Sequence, residues 1–306
     1  MKLQRDVFLE EIYKLLKVDK SIYVLSADFG AAALDAIREE FKDNFIHCGI
    51  SEQAMFDIGT GLALEGKKVV AYAMGPFISL RAIEQIKCGP AMMNLPMTIL
   101  SVGIGLGYAD AGPTHYATED FACLRAIGGT NIYTASDNLI AEKIAQNSLS
   151  NGKLNYIRLD RHPTSNIEFN KENFDFNDGY RIIGEYSEQK IAIISHGRIL
   201  HACLKTMNEN KDLCFIVDLY NSKPISQKLA NKLKNIKKIL VVDEQTCSGN
   251  LTGAVQEFLA KNNIFNFIKN LSLTERYIFE NGGRDHLLKL NGLDEDSILA
   301  VFKEIL

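Results

Sequence analysis

The sequence predicts two three-layer α/β domains, the first built on a mainly parallel sheet. Three observations carry that prediction. Short apolar runs such as "SIYVLSAD", "KKVVAYAM" and "MTILSVG" lack the polar alternation of a strand with one wet face. Each is followed by a stretch with helical spacing, as strand–helix–strand crossovers require. The chain has 306 residues, 46% of them hydrophobic, which is enough for two cores of ordinary size.

The elements follow in order. "MKLQRDVFLEEIYKLL" reads as an amphipathic helix with acids between its apolar positions, and not as a signal peptide. "SIYVLSAD" is a strand and "AAALDAIREEF" a helix; "FIHC" is a strand leading into the helical "SEQAMFDIGTGLALEG". "KKVVAYAM" precedes a helical "SLRAIEQIKCG", and "MTILSVG" precedes a long glycine-rich loop and the helical "EDFACLRAI". "TNIYTAS", "NLIAEKIAQNSLS" and "LNYIRLD" close a first domain spanning residues 1–165. Residues 162–185 are polar without a period and read as a linker. The second domain, 180–306, offers strands in "KIAIISHG", "LCFIVDLY", "KKILVVDEQ" and "IFNFIKNLSL". Between and after them lie the helical "RILHACLKTMNEN", "ISQKLANKLKN", "NLTGAVQEFLAKNN" and a C-terminal helix.

Composition excludes several function classes. The net charge is −4 and no basic stripe is visible, so nucleic acid is not an expected partner. No apolar run is long enough to cross a bilayer, so no membrane is expected either. Six scattered cysteines, mostly with apolar neighbours, read as reduced thiols of a cytoplasmic protein; none has the spacing of a structural metal site.

One carboxylate stands out. In "NFIHCGISEQAMFDIGTGLALEG", Ser51 sits where a helix could be capped and Glu52 falls in its first turn. The helix is rich in small residues, Ala54, Gly59, Gly61 and Ala63, so it packs closely against something. Glu52 therefore lies at the carboxyl end of a strand, the sheet edge where ligands of α/β folds collect. It either answers the helix dipole from a solvated position or is buried for a reason. A second segment, "SVGIGLGYADAGPTHYATEDF", strings glycines around Asp110 and His115 after another strand. Such a loop usually touches a ligand, and Glu52 and His115 could line one cleft.

Together, "FIHCGISEQAM…GLALEG" and "GIGLGYADAGPTHYATEDFACLR" resemble the pyrimidine-binding region of the thiamine-diphosphate-dependent transketolase superfamily. "VVDEQTCSGNLTGAV" extends the resemblance into that family's C-terminal domain. The resemblance implies that Glu52 bonds N1′ of the cofactor's aminopyrimidine, favouring the imino tautomer that activates the thiazolium. It implies that His115, the histidine of "GPTH", touches substrate oxygens, with Asp110 displaced by one residue from the family's aspartate. Phe77 of "YAMGPFISLRAIEQ" is expected to stack on the pyrimidine, or Ile78 if the register shifts. His47 and Gln85 are expected near the cofactor, and Arg81 could equally belong to an interface. Arg158 and Arg161 of "YIRLDRH" are candidate anion donors for the substrate. His196 has a lesser claim on the substrate channel. Two departures weaken the usual grip on sugar phosphate: Val102 and Gly103 stand where transketolases carry a histidine, and alanines replace a serine near "SADFGAAA".

The family's diphosphate and metal site lies in a separate domain marked by "GDG", which this sequence lacks. The resemblance therefore implies the C-terminal subunit of a two-component transketolase. Thiamine diphosphate would be shared with an N-terminal-type partner that supplies the ligands for Mg²⁺ or Ca²⁺. The expected reaction moves a two-carbon ketol unit between sugars or sugar phosphates. A decarboxylating synthase subunit of the deoxyxylulose-phosphate type and a non-catalytic regulatory homologue are the alternatives. Alone, the chain is expected to form a dimer, as the family's twofold-related clefts suggest.

Overall fold

A computed structural model describes residues 2–27, 30–172 and 174–306. Six strands of the first domain are β1 (Ile22–Ala27), β2 (Phe45–Gly49), β3 (Lys68–Met74), β4 (Met97–Val102), β5 (Thr130–Thr134) and β6 (Leu154–Leu159). The second domain adds β7 (Arg181–Ile183), β8 (Ile191–Ser195), β9 (Cys214–Asp218), β10 (Asn221–Lys223), β11 (Lys238–Thr246) and β12 (Phe267–Leu273).

The first sheet runs β10-β5-β6-β4-β3-β1-β2, and the second β12-β11-β8-β9-β7. All pairings within the first sheet are parallel except that of β10 with β5; in the second only β7 runs antiparallel. Every residue of β4, β6, β8 and β9 is buried, which is why these segments read as unbroken apolar runs. β2, at the sheet edge, is only partly covered.

Helices Gln4–Val18, Ala32–Glu40 and Asn138–Ser148 bring Phe8, Leu9, Ile12, Leu34, Ile37, Ile140 and Ile144 onto one face of the first sheet. Helix Glu52–Leu64 covers the other face with Met55 and Phe56. Gly59 is small because a side chain there would press on Met97 and Val69, 3.1 and 3.3 Å away; this is packing of helix on sheet. Gly61 faces open space on the same helix. That core continues without a break into Ile194, Phe215, Leu251 and Val255 of the second domain. A third core places Leu200, Cys203, Leu287, Ile298 and Phe302 over the far face of the second sheet. Cutting any of these buried aliphatic side chains to alanine costs about 2–5 kcal/mol.

Three features differ from the sequence-based expectation. β7 is a strand within the stretch read as a linker. β10 belongs to the second domain by sequence yet hydrogen-bonds as an edge strand of the first sheet. The expected regular helix "SLRAIEQIKCG" is interrupted: π-helical turns at Phe77–Arg81 and Lys87–Ala91 flank a short α-helical piece, Ile83–Ile86. Each π turn accommodates one extra residue, and such turns are frequent at functional sites.

Candidate active site at the carboxyl edge of the first sheet

Three crossovers converge on one edge of the first sheet. β2 leads to Glu52 at the start of its helix, β3 leads to Phe77 and Arg81 on the first π turn, and β4 opens the glycine loop that ends at His115. Because β1 to β4 and β6 run parallel, these connections all leave from the same side.

Glu52 is 3% exposed, so the solvated reading of this carboxylate fails. Its Oε2 accepts a hydrogen bond from Arg81 Nη1 at 2.6 Å. The Arg81 guanidinium lies over the Phe77 ring, 4.3 Å from its centre. Phe77 in turn meets the His115 ring edge-on, at 5.2 Å and 71°. His115 Nδ1 lies 2.9 Å from Thr114 Oγ1, and Tyr108 flanks the imidazole at 6.4 Å. Burial pushes the Tyr108 phenol up to about 12, so this ring stays neutral at physiological pH. Glu52, Arg81, Phe77, His115 and Tyr108 thus form one continuous cluster. Gly103 makes the loop's return possible: its φ is +88°, and a side chain there would overlap the Tyr108 ring.

The other sequence candidates fall into three groups. Ile78 is fully buried in the core, so Phe77, which is half-buried, is the residue that presents a ring to the site. Gln85 has a buried Oε1 with no hydrogen-bond partner among the described residues. His47 is exposed in the middle of β2. Ser51 occupies the cap position of its helix, but its side chain makes no capping hydrogen bond.

Arg161 and Asp110 pair with each other, Nη1 to Oδ1 at 2.5 Å and Nη2 to Oδ2 at 3.2 Å. Arg161 also lies 4.4 Å from the Tyr108 ring centre. Its hydrogen bond holds the exposed Asp110 carboxyl below the ordinary carboxylate value.

Arg158 does not line the cleft, contrary to the expectation. Its side chain is 1% exposed and binds Asp120 through Nε at 2.8 Å and Nη2 at 3.1 Å, with Nη1 donating to Thr134 Oγ1. Burial works against its charge, but Asp120 prevails and holds the guanidinium above its ordinary value. A buried cation already neutralised this way is not available to a substrate phosphate. His196 is likewise enclosed, 3.2 Å from Asp243 and packed edge-on against Phe121, so it is part of the domain junction. Val102 is buried at the end of β4, and Asp28 and Phe29 of "SADFGAAA" lie outside the described residues.

Sequence reasoning missed the partner of Glu52. Arg81 stands 29 residues away, on the π turn that also carries Phe77. For an aminopyrimidine cofactor the residues fit: a buried carboxylate joined through Arg81 to a half-buried aromatic ring. For the cofactor's metal they do not, since no group of three or more His, Cys, Asp or Glu able to hold a metal ion exists among the described residues.

Residues 3–164 match the family model "Transketolase, pyrimidine binding domain" and residues 182–298 match "Transketolase, C-terminal domain". A Methanocaldococcus jannaschii protein named as a transketolase C-terminal section is 29% identical over 294 residues, 94% of this chain and 92% of that one. One subunit of an apulose-4-phosphate transketolase from Actinobacillus succinogenes is 25% identical over 281 residues, covering 90% and 89%. The solved structure of a split-gene transketolase, an inactive β4 tetramer, superposes with a TM-score of 0.84 at 21% identity, over 99% of this chain and 97% of that one. The chain belongs to the thiamine-diphosphate-dependent transketolase family, of which it carries the pyrimidine-binding and C-terminal domains.

Proposed function

We propose that this chain is the C-terminal subunit of a two-component transketolase that moves a two-carbon ketol unit between sugars or sugar phosphates. The observation that carries the reading is Glu52, a carboxylate buried in the first turn of its helix beside an aromatic ring and the "GPTH" histidine. Bound thiamine diphosphate supplies the nucleophilic carbon for ketol transfer. Glu52 holds the proton at N1′ of its pyrimidine, and Phe77 supplies the stacking face. In the chain by itself Arg81 neutralises Glu52 and lies over Phe77, so it must turn outward when the ring enters. The exposure of the Arg81 side chain, 41%, leaves it room to do so. His115 faces the sugar, where it positions an oxygen and can pass it a proton. Arg161 and Asp110, paired with each other beside Tyr108, would help select among substrates.

The substrate is a ketose donor and an aldose acceptor, free or phosphorylated. The test is reconstitution with a partner chain that contains "GDG" and a downstream asparagine. Ketol transfer from a panel of ketose phosphates and free ketoses should appear on mixing and be absent from either chain alone. Formation of decarboxylated pyruvate adducts in place of ketol transfer would favour the deoxyxylulose-phosphate-synthase type.

Self-association follows from the face beside the site. Ile50 just before the Glu52 helix, Ile58 and Leu64 on it, and Leu80, Met92 and Met93 on the segment that follows Phe77 are all exposed, and Gly61 lies open on the same helix. An apolar surface of that kind is a typical subunit contact. The chain is expected to be a homomer without its partner: two copies satisfy a twofold axis, and the similar split-gene protein is described with four. Light scattering at micromolar concentration checks this, and a strictly monomeric chain would contradict it.

A further inference from the structure

The glycine loop that presents His115 is gripped at both stems by the end of one strand in the other domain. On the outgoing stem, Glu244 Oε1 accepts a hydrogen bond from the Leu106 amide at 2.8 Å. On the returning stem, Gln245 Nε2 donates to the Ala117 carbonyl at 2.8 Å, and the Thr246 amide donates to the Thr118 carbonyl at 3.0 Å. The stems are also tied to each other, since Gly105 and Ala117 exchange two backbone hydrogen bonds of 3.0 Å. Three consecutive residues at the carboxyl end of β11 therefore hold the base of a loop whose tip carries Tyr108, Asp110 and His115.

Glu244 is itself held rigidly. Arg284 donates to its two oxygens from Nε at 2.8 Å and Nη2 at 2.6 Å, and reaches Asp160 Oδ2 from Nη1 at 2.5 Å. All three side chains are nearly or wholly excluded from water. Burial alone would raise the Asp160 carboxyl, but the charge of Arg284 and the hydrogen bonds from His162 outweigh it and leave the acid well below its ordinary value. Arg284 is held above its own ordinary value, so the Arg284–Asp160 pair is ionised at every physiological pH. Such a cluster is a poor source of net stability, because well-packed apolar residues do as well; what it provides is a fixed geometry. Gly105 is shaped to that geometry. Its φ is +56°, and a side chain there would lie 2.7 Å from the Glu244 carboxyl carbon.

We propose that Glu244 is a positioning residue, through which the C-terminal domain fixes the loop that sets His115 against the substrate. Its effect on turnover rests on the reading that His115 faces the sugar; its effect on the loop does not.

Two full-length variants test it, Glu244→Gln and Gly105→Ala, alongside denaturant unfolding to register any global loss. In the purified chain, the amides of Gly105, Leu106 and Ala117 should exchange with solvent roughly 10- to 100-fold faster in each variant, the loss expected for a charge-assisted hydrogen bond. Amides of β3 and β8 should stay within about threefold. In the complex reconstituted with a "GDG" partner, kcat for donor cleavage should fall roughly tenfold or more. Exchange of the cofactor's C2 proton, which depends on Glu52 on a different element, should stay within about twofold. Unchanged loop amides, or C2 exchange and donor cleavage falling together, would overturn the proposal. A wild-type complex without any C2 exchange would instead refute the functional reading, and the amide measurement would still decide the clamp.

Discussion

Replacing Glu52 by Gln leaves the chain folded and assembling while removing most turnover, by about 10²–10⁴-fold if N1′ protonation is the step lost. The amide is the same size as the carboxylate and can still accept a hydrogen bond from Arg81, so the fold tolerates it. It cannot hold and return a proton at N1′. The discriminating measurement is hydrogen–deuterium exchange at the cofactor's C2 in the reconstituted complex. Slow exchange in the variant is the expected result; exchange at the wild-type rate would assign the proton relay to another residue.

His115→Ala should give the complementary phenotype. Its ring lies beyond Phe77, with Thr114 on its Nδ1, so it is set apart from the Glu52 carboxylate. C2 exchange should survive, and the substrate-dependent steps should slow by about 10²–10⁴-fold, the usual cost of a positioned proton-transfer group. Pre-steady-state donor cleavage separates the two. If donor and acceptor kinetics are both unchanged, His115 does not touch the sugar.

Much of this was legible in the chain itself, for a definite reason. Central parallel strands are buried on both faces, so "MTILSVG" and "KIAIISHG" announce themselves as apolar runs. Glu52 was legible because the carboxylate interrupts a run of small and apolar residues at the entry to a helix. What escaped is what depends on contacts distant in sequence or on very short elements. β7 and β10 have three residues each, too few to display a period. The π turns at Phe77–Arg81 and Lys87–Ala91 keep helical composition, and the pairing of Arg81 with Glu52, 29 residues earlier, leaves no local sign. Arg158 was misjudged because cationic character is visible in a sequence, whereas its neutralisation by Asp120, 38 residues earlier, is not. Glu244 meets the Leu106 amide across 138 residues, and neither segment carries a local sign of the other.

On the proposed function, this chain holds only the pyrimidine end of its cofactor. Isothermal titration of thiamine diphosphate with Mg²⁺ tests it most directly, first into the purified chain and then into the chain mixed with a "GDG" partner. Binding to the chain alone should be weak and Mg²⁺-insensitive, and tight and Mg²⁺-dependent once the partner is present. Submicromolar, Mg²⁺-dependent binding by the chain alone would contradict it.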